Sequence, residues 1–229
     1  MAGSVLLCGG NEFERESTPL NQAALHLIRR KPPRVVVLPV ATDNQRKVSR
    51  AGINYFSALN ASVEASMIAD KAAAQDPVIS ASFESTDMVY ITDGNPLALV
   101  ETLEGTEALK KLAHYWQAGL ILAASGAAAM ALCDLYWDSG TWEKGLGVLK
   151  GVAVMPHYEY VIGRFSPARL RESLPPEYTL LGLDDSTGVL VIGKEARIIG
   201  PNMVTVYRAD LLELDYEDAT SFMLDMPLG

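Results

Sequence analysis

Residues 122–130 read Leu-Ala-Ala-Ser-Gly-Ala-Ala-Ala-Met, and they decide which fold the chain is expected to adopt. An apolar strand, predicted over Leu120–Ala123, runs into very small residues and leaves them as a helix predicted over Gly126–Leu135. This order is typical of a nucleophile elbow, the sharp strand-to-helix turn that presents a reactive side chain above an α/β sheet. The stretch therefore predicts an α/β protein whose functional site lies where its strands end.

Two residues compete for the nucleophile position of this elbow. Ser125 supplies a hydroxyl, whereas Gly126 has no side chain that could attack a substrate. A standard elbow has glycines two residues before and two residues after the nucleophile. If Ser125 is the centre, these positions hold Ala123 and Ala127, and if Gly126 is the centre, they hold Ala124 and Ala128. Alanine is small enough in either case. The residues also allow a structural interpretation, in which Ser125 is only the N-cap of an Ala-rich helix.

The chain on either side of the elbow alternates between short β-branched runs and amphipathic stretches. The strands predicted before it are Ser4–Cys8, Arg34–Val40, Ser62–Ile68 and Asp87–Thr92, and the helices are Thr18–Arg30, Arg46–Leu59, Pro96–Leu103 and Glu107–Gln117, with Asp76–Phe83 a short helix at most. Continuous apolar strands that alternate with helices predict a mostly parallel central sheet covered on both faces, a three-layer αβα sandwich.

Strand candidates dominate after Gly151. They are Val152–Met155, Thr179–Leu183, Gly188–Ile192, Ala196–Ile199, Val204–Tyr207 and Leu211–Leu214, interrupted by one helix predicted over Pro167–Leu174. This strand-rich part predicts additional antiparallel strands at the C-terminal end. We find no linker, repeat or low-complexity segment, and therefore expect residues 1–229 to form a single domain.

Composition excludes several classes of partner and site. The formal charge of −9 and the pI of about 4.8 argue against nucleic acid and anionic membranes. Cys8 and Cys133 lie in apolar surroundings, and no signal peptide or long apolar run is evident, so we expect a cytoplasmic protein. The three histidines are far apart and the cysteines are not paired as zinc ligands are, so we expect no metal and no cofactor.

Two glycine-containing turns follow predicted strands and are candidates for a binding pocket. The turn Gly9-Gly10-Asn11 allows the backbone to approach a ligand or another loop closely. The backbone N–H groups of Asp93-Gly94-Asn95 could bind an anion or an oxyanion near the start of a helix. Both stretches are also compatible with plain structural turns.

A histidine and two aspartates complete the set of strand-end residues. His157 follows the strand Val152–Met155 and one proline, a place where a general base could stand. Asp184 and Asp185 follow the strand Thr179–Leu183 and could orient an imidazole, as the third member of a catalytic triad does. Solvated turn carboxylates and a structural histidine are the alternatives.

Taken together, these junctions resemble the cyanophycinase and dipeptidase E family of serine peptidases, whose fold is similar to class I glutamine amidotransferases and is flavodoxin-like. The resemblance covers nearly the whole chain and rests on the order and spacing of several segments, none decisive alone. These are residues 9–13 (Gly-Gly-Asn-Glu-Phe), 37–42 (Val-Leu-Pro-Val-Ala-Thr), 92–96 (Thr-Asp-Gly-Asn-Pro), 123–132, 151–158 (Gly-Val-Ala-Val-Met-Pro-His-Tyr), 182–187 (Gly-Leu-Asp-Asp-Ser-Thr) and 204–206 (Val-Thr-Val).

The sequence departs from the family pattern at three of these places. Similar family members carry Ala-Gly-Ser-Ser-Ala-Gly-Ala-Met at the elbow, and the gap-free match through Met130 puts the nucleophilic second serine at Gly126. The family's Thr-Gly-Gly-Asn turn, implied in the oxyanion hole, has Asp93 in place of its first glycine. The family's Gly-Ile-Asp-Glu-x-Thr segment has Asp185 in place of the glutamate, and only His157 matches the implied triad outright.

These departures leave three functional hypotheses. The resemblance implies cleavage of aspartyl peptide or β-aspartyl isopeptide bonds, and the first hypothesis is that this member is catalytically impaired or repurposed. The second is a working serine hydrolase that uses Ser125, His157 and Asp185, with oxyanion donors near Gly94 and Gly126. The third is a module that binds a small peptide or an acidic small molecule in the retained cleft. A homodimer would be ordinary for such a domain.

Overall fold

An eight-stranded sheet forms the centre of the computed structural model, which describes residues 3–40, 42–163, 166–208 and 213–224. Its strands are β1 (Val5–Cys8), β2 (Arg34–Leu38), β3 (Ser62–Ala65), β4 (Met88–Ile91), β5 (Ile121–Ser125), β10 (Gly188–Ile192), β11 (Glu195–Ile199) and β14 (Ser221–Met223). They are arranged in the order β14-β11-β10-β1-β5-β4-β2-β3. The five strands from β1 to β3 in this order are parallel, and β10, β11 and β14 extend the sheet with antiparallel pairs.

A second, four-stranded sheet packs against the central one. It contains β8 (Val152–Pro156), β9 (Thr179–Leu183), β12 (Val204–Tyr207) and β13 (Glu213–Tyr216), in the order β13-β12-β9-β8. The pair β8 and β9 is parallel and the others are antiparallel. A separate hairpin is formed by β6 (Leu135–Asp138) and β7 (Thr141–Lys144).

Helices cover both faces of the central sheet. On one face are α1 (Thr18–His26) and α2 (Gln45–Ala58), and on the other are α3 (Lys71–Gln75), α4 (Pro96–Leu103), α5 (Glu107–Gln117) and α6 (Ala127–Ala131). Two short helices, α7 (Tyr158–Val161) and α8 (Pro167–Glu172), pack on the second sheet instead. Within the described ranges, none of these helices is long and apolar enough to cross a membrane.

The alternation of side chains along the strands divides the core into two main clusters. In β1, Leu6 and Cys8 pack with α1 and α2, whereas Val5 and Leu7 face α4, α5, α6 and the inner side of the second sheet. Every residue of β1, β4 and β5 is buried, because both faces of these strands are covered. The predicted layered α/β fold, with a largely parallel central sheet and additional antiparallel strands, is confirmed.

Several predicted elements need correction. The helix expected over Gly126–Leu135 is only α6, and Leu135 starts the β6–β7 hairpin, which the sequence analysis missed. Ser139 and Gly140 form its two-residue loop with φ of 47° and 101°, the conformation such hairpins need. Residues expected as the short helix Asp76–Phe83 form a 3-10 turn at Ile79–Ser85, preceded by α3. Of the strand expected at Leu211–Leu214, residues 211 and 212 lie outside the described residues, and β13 covers the rest.

Candidate active site

The site lies where β1, β4, β5, β8 and β9 end. Gly9 and Gly10 follow β1, Asp93 follows β4 by two residues, Gly126 follows β5, and His157 follows β8 directly. Asp185 comes two residues after β9, and the parallel pairing of β8 with β9 brings it beside His157. The two sheets therefore contribute different members of one cluster.

His157 lies at the centre of this cluster with both ring nitrogens engaged. Nδ1 is 2.6 Å from Asp185 Oδ1, and Nε2 is 3.2 Å from Asp93 Oδ2. The backbone is left-handed at this residue, with φ of 50° and ψ of 40°, and its N–H donates to the carbonyl oxygen of Gly9 at 2.9 Å. Left-handed backbone is costly for a residue other than glycine and is retained where surrounding structure imposes it, often at functional sites.

Asp185 is a nearly buried carboxylate with a full set of partners. Its Oδ2 accepts from Asn11 Nδ2 at 3.1 Å, while its backbone N–H donates to both carboxylate oxygens of Glu159, each at 3.1 Å. Gly10 leaves the space for this arrangement, because a Cβ there would lie 2.1 Å from Asp185 Oδ1 and 2.3 Å from His157 Cε1. Asp185 is thus held in the place of a residue that orients the imidazole.

The Asp93 carboxylate points into the site and is held by main-chain donors. Its Oδ1 accepts from the backbone N–H of Gly94 and of Ala127, each at 2.7 Å. Its own backbone N–H donates to Glu12 Oε2 at 2.8 Å. Two converging backbone N–H groups, one following the elbow residue, have the arrangement of an oxyanion hole, and here they bind a carboxylate of the same chain.

Gly126 has the strained backbone of an elbow, with φ of 53° and ψ of −123°. A Cβ at this position would lie 2.1 Å from Asp93 Oδ1, 2.2 Å from its Cγ and 2.4 Å from its Oδ2. The Asp93 carboxylate therefore occupies the volume that a side chain on residue 126 would need.

Ser125 is fully buried on the opposite side of the elbow. Its side chain is on the same face of β5 as that of Ala123, which packs in the cluster beneath α1 and α2. Its hydroxyl lies near Cys8, Glu12 and Tyr90, the pKa of each of which is raised by burial, and it is hydrogen-bonded to no described residue. Neither ring nitrogen of His157 is hydrogen-bonded to it.

The charges of the cluster follow from these contacts. The hydrogen bond to Asp93, and then that to Asp185, outweigh burial and raise the pKa of His157 to about 9. Burial alone would raise the pKa of Asp93, but the bonds from His157, Ala127 and Gly94 lower it below its ordinary value. Burial raises the pKa of Glu12 to about 7. At neutral pH, His157 is therefore an imidazolium between two carboxylates.

The structure brings most of the residues selected from the sequence together. Gly9, Gly10, Asn11, Asp93 and Gly94 touch the His157–Asp185 pair or each other through the contacts above. Asn95 instead caps α4, with its Oδ1 accepting from the backbone N–H of Ala98 at 2.9 Å.

Three groups of the site, Glu12, Glu159 and the backbone N–H of Ala127, were not predicted from the sequence. Glu12 directly follows the Gly-Gly-Asn turn, and Glu159 is two residues after His157, so proximity along the chain was the available signal.

An elbow at the end of a central strand, a histidine bonded to an aspartate and two converging backbone donors have the arrangement that α/β serine hydrolases share. Residues 5–199 match the model of peptidase family S51, and the chain belongs to this family, that of dipeptidase E and cyanophycinase.

Two solved structures share the fold. A peptidase from an acI-B1 Actinobacterium is 21% identical with a TM-score of 0.87, and the alignment covers 97% of each chain. A putative peptidase E from Listeria monocytogenes EGD-e is 18% identical with a TM-score of 0.64, covering 88% of this chain and 100% of the other. No curated protein sequence matches the chain.

Proposed function

We propose that this chain is a member of peptidase family S51 that does not use serine peptidase chemistry, because its own Asp93 carboxylate takes the place of the nucleophile and of the substrate oxyanion. The observation that carries the proposal is the position of this carboxylate. Oδ1 is bound by the backbone N–H groups of Gly94 and Ala127, and Oδ2 faces His157 Nε2.

The position that matches the family's nucleophile offers no hydroxyl. Gly126 has no side chain, and one could not be added without displacing Asp93. Removal of a triad nucleophile typically lowers kcat by about six orders of magnitude. The histidine and its orienting carboxylate alone therefore leave no useful peptidase activity.

Ser125 is a poor substitute for the missing nucleophile. It is buried beneath the elbow, among Cys8, Glu12 and Tyr90, and His157 is already bonded to two carboxylates. A serine is activated when a base accepts its proton over a hydrogen bond. Ser125 and His157 share no such bond here.

The charge of the site also bears on the ligand. Asp93 and Asp185 flank one imidazolium, and Glu159 lies behind Asp185, so an acidic peptide would bring further negative charge to a site that is already net negative. Like charges in a partly buried site repel each other. We therefore favour a neutral small molecule over the acidic ligand that the resemblance implied.

The two cysteines support the expected compartment. Cys8 and Cys133 are free and buried, and burial raises the pKa of both thiols, that of Cys8 to about 12. Unreactive buried thiols that pack as small apolar residues fit the expected cytoplasmic location.

Hydrolysis of aspartyl dipeptides and of β-aspartyl-arginine tests the proposal, with the purified protein measured beside its Ser125→Ala variant. We expect no turnover above the buffer blank in either protein. Turnover by the unmodified protein that disappears in Ser125→Ala would overturn the proposal and make Ser125 the nucleophile. Circular dichroism of both proteins establishes that the comparison is made on folded material.

A further inference from the structure

We propose that Asp93 is itself a nucleophile, and that the site opens neutral epoxides by forming an alkyl ester on Asp93 Oδ2, which water then hydrolyses. Epoxide opening is an activity that the proposed loss of serine peptidase chemistry does not by itself imply, and it uses contacts that peptide hydrolysis would not need.

The two oxygens of Asp93 have different environments. Oδ1 is fixed by two backbone N–H groups at 2.7 Å, whereas the only described partner of Oδ2 is His157 Nε2, at the longer distance of 3.2 Å. The Asp93 side chain is 32% exposed, so a small molecule can reach it. A carboxylate that is ionised, oriented and accessible has the properties of a covalent nucleophile.

His157 carries the proton that opening an epoxide requires. Its pKa is raised to about 9, first by the bond to Asp93, so the imidazole is protonated at neutral pH beside the attacking oxygen. An amide needs a base in the first step, whereas an epoxide oxygen becomes an alkoxide as its ring opens and needs an acid. The protonated state of this histidine therefore suits an epoxide better than a peptide.

In the first step, Asp93 Oδ2 attacks a carbon of the epoxide and forms a C–O bond. The bond between that carbon and the ring oxygen breaks, and the electron pair remains on this oxygen. His157 donates its Nε2 proton there, which leaves a hydroxyalkyl ester on Asp93 and a neutral imidazole.

Ester formation converts His157 from an acid into a base. The ester removes the hydrogen-bonded carboxylate that contributes most to the raised pKa of His157, while Asp185 still holds Nδ1 at 2.6 Å. Neutral His157 can then accept a proton from water, as a general base does. Asp185 acts here as the positioning residue.

In the second step, water attacks Asp93 Cγ, and the negative charge develops on Oδ1. The backbone N–H groups of Gly94 and Ala127 already bind this oxygen, so the oxyanion is stabilised without rearrangement. The Cγ–Oδ2 bond breaks, and the departing alkoxide takes a proton from His157 and leaves as a diol. The new carboxylic acid returns its proton to His157, which restores the starting state.

The elements that leave the site carry exposed apolar side chains. Leu97, in the first turn of α4 after the Asp93 turn, is 42% exposed, and Tyr160, in α7 after His157, is 65% exposed. Apolar side chains exposed on the two elements that leave the site favour an uncharged substrate with an apolar substituent. A neutral aryl epoxide has this chemistry.

The test uses para-nitrophenyl glycidyl ether as the probe, with diol formation and intact-protein mass as readouts. We expect diol from the unmodified protein, and neither diol nor adduct from Asp93→Asn. His157→Gln should form neither diol nor adduct at an appreciable rate, because the same residue donates the proton of the first step and accepts the proton of water in the second, and loss of either role slows its step by about 100-fold or more. Asp43→Asn, which changes an exposed aspartate, is the matched control and should behave as the unmodified protein does.

A single turnover in heavy-oxygen water, with protein in excess over epoxide, tests the covalent route without any variant. The proposal requires diol without heavy oxygen and one heavy oxygen in the Asp93 peptide, because Oδ2 leaves with the product. Heavy oxygen in the diol and none in the peptide would mean direct attack by water and would overturn it. The absence of both diol and adduct would also overturn the proposal. Neither result depends on the peptide assay, so the two proposals fail separately.

Discussion

The carboxylate of Asp93 fills the space beside Gly126 in which a side chain at the elbow would stand. A Cβ on Gly126 would lie 2.1 Å from Asp93 Oδ1, far inside van der Waals contact. The departures at these two positions are therefore coupled: an aspartate at residue 93 in this conformation requires a glycine at residue 126. Residues in such contact are expected to show strongly non-additive effects when both are changed.

The first prediction concerns stability at the elbow. Gly126→Ala should lower the free energy of unfolding by about 3 kcal/mol or more, because backbone strain and overpacking each cost about 1–3 kcal/mol. Gly193→Ala is the matched control, since Gly193 has a similar φ of 62° and nothing within 4 Å of an added Cβ. Urea denaturation of both variants separates strain from the clash with Asp93. Equal losses in the two variants would contradict the prediction.

The second prediction is that serine peptidase chemistry can be rebuilt. Asp93→Gly together with Gly126→Ser restores the two family residues, frees the backbone N–H groups of Gly94 and Ala127, and places a hydroxyl near His157. We expect hydrolysis of aspartyl dipeptides by the double variant and by neither single variant. Gly126→Ser alone leaves the Asp93 carboxylate in the nucleophile site, and Asp93→Gly alone leaves that site without a nucleophile. The control is Asp93→Gly with Gly126→Ala, and equal activity in both double variants would refute the assignment of residue 126.

The third prediction concerns the proton on His157. Asp93→Asn should lower the pKa of His157 from about 9, and by more than Asp185→Asn does, because the bond to Asp93 contributes most to the increase. The proton resonance on Cε1 of the imidazole, followed by NMR against pH, measures this directly. The reverse order of the two variants would show that Asp185 dominates the charge state. Asp43→Asn should leave the titration unchanged.

The fourth prediction concerns Glu12 and the pH dependence of stability. Burial raises the pKa of Glu12 from 4.5 to about 7 in the folded state, so the folded protein binds this proton more tightly than the unfolded chain does. Its contribution to stability is therefore fully present below pH 4.5 and is lost as the pH rises to about 7. Glu12→Gln keeps an acceptor for the backbone N–H of Asp93 and should remove this component.

Urea denaturation between these pH values compares Glu12→Gln with Glu14→Gln, a change at an exposed residue of the same segment. His157 also stabilises the fold through a raised pKa, but at higher pH. Its contribution to stability is fully present below pH 6.5 and is lost as the pH rises past about 9. Parallel pH profiles for the two glutamine variants would mean that Glu12 does not titrate as described.

Local sequence patterns predict much of the fold. The helices Pro96–Leu103 and Glu107–Gln117 and the strands Thr179–Leu183, Gly188–Ile192 and Val204–Tyr207 have the predicted bounds. Their apolar runs, caps and flanking turn residues act over a few positions, which is the range that a sequence pattern reports. The same patterns do not show which sheet a strand joins, so the four-stranded sheet was not anticipated.

The sequence by itself determined that strand-end turns carry His157, Asp185, Gly126 and Asp93, and that the elbow lacks a serine at the matched position. Only the tertiary structure decided that the Asp93 carboxylate turns inward and binds Gly94, Ala127 and His157. Ala127 and His157 are distant from Asp93 along the chain, and no local pattern encodes these contacts. In this protein, two converging backbone donors and one imidazolium stabilise the negative charge that Asp93 brings into the site.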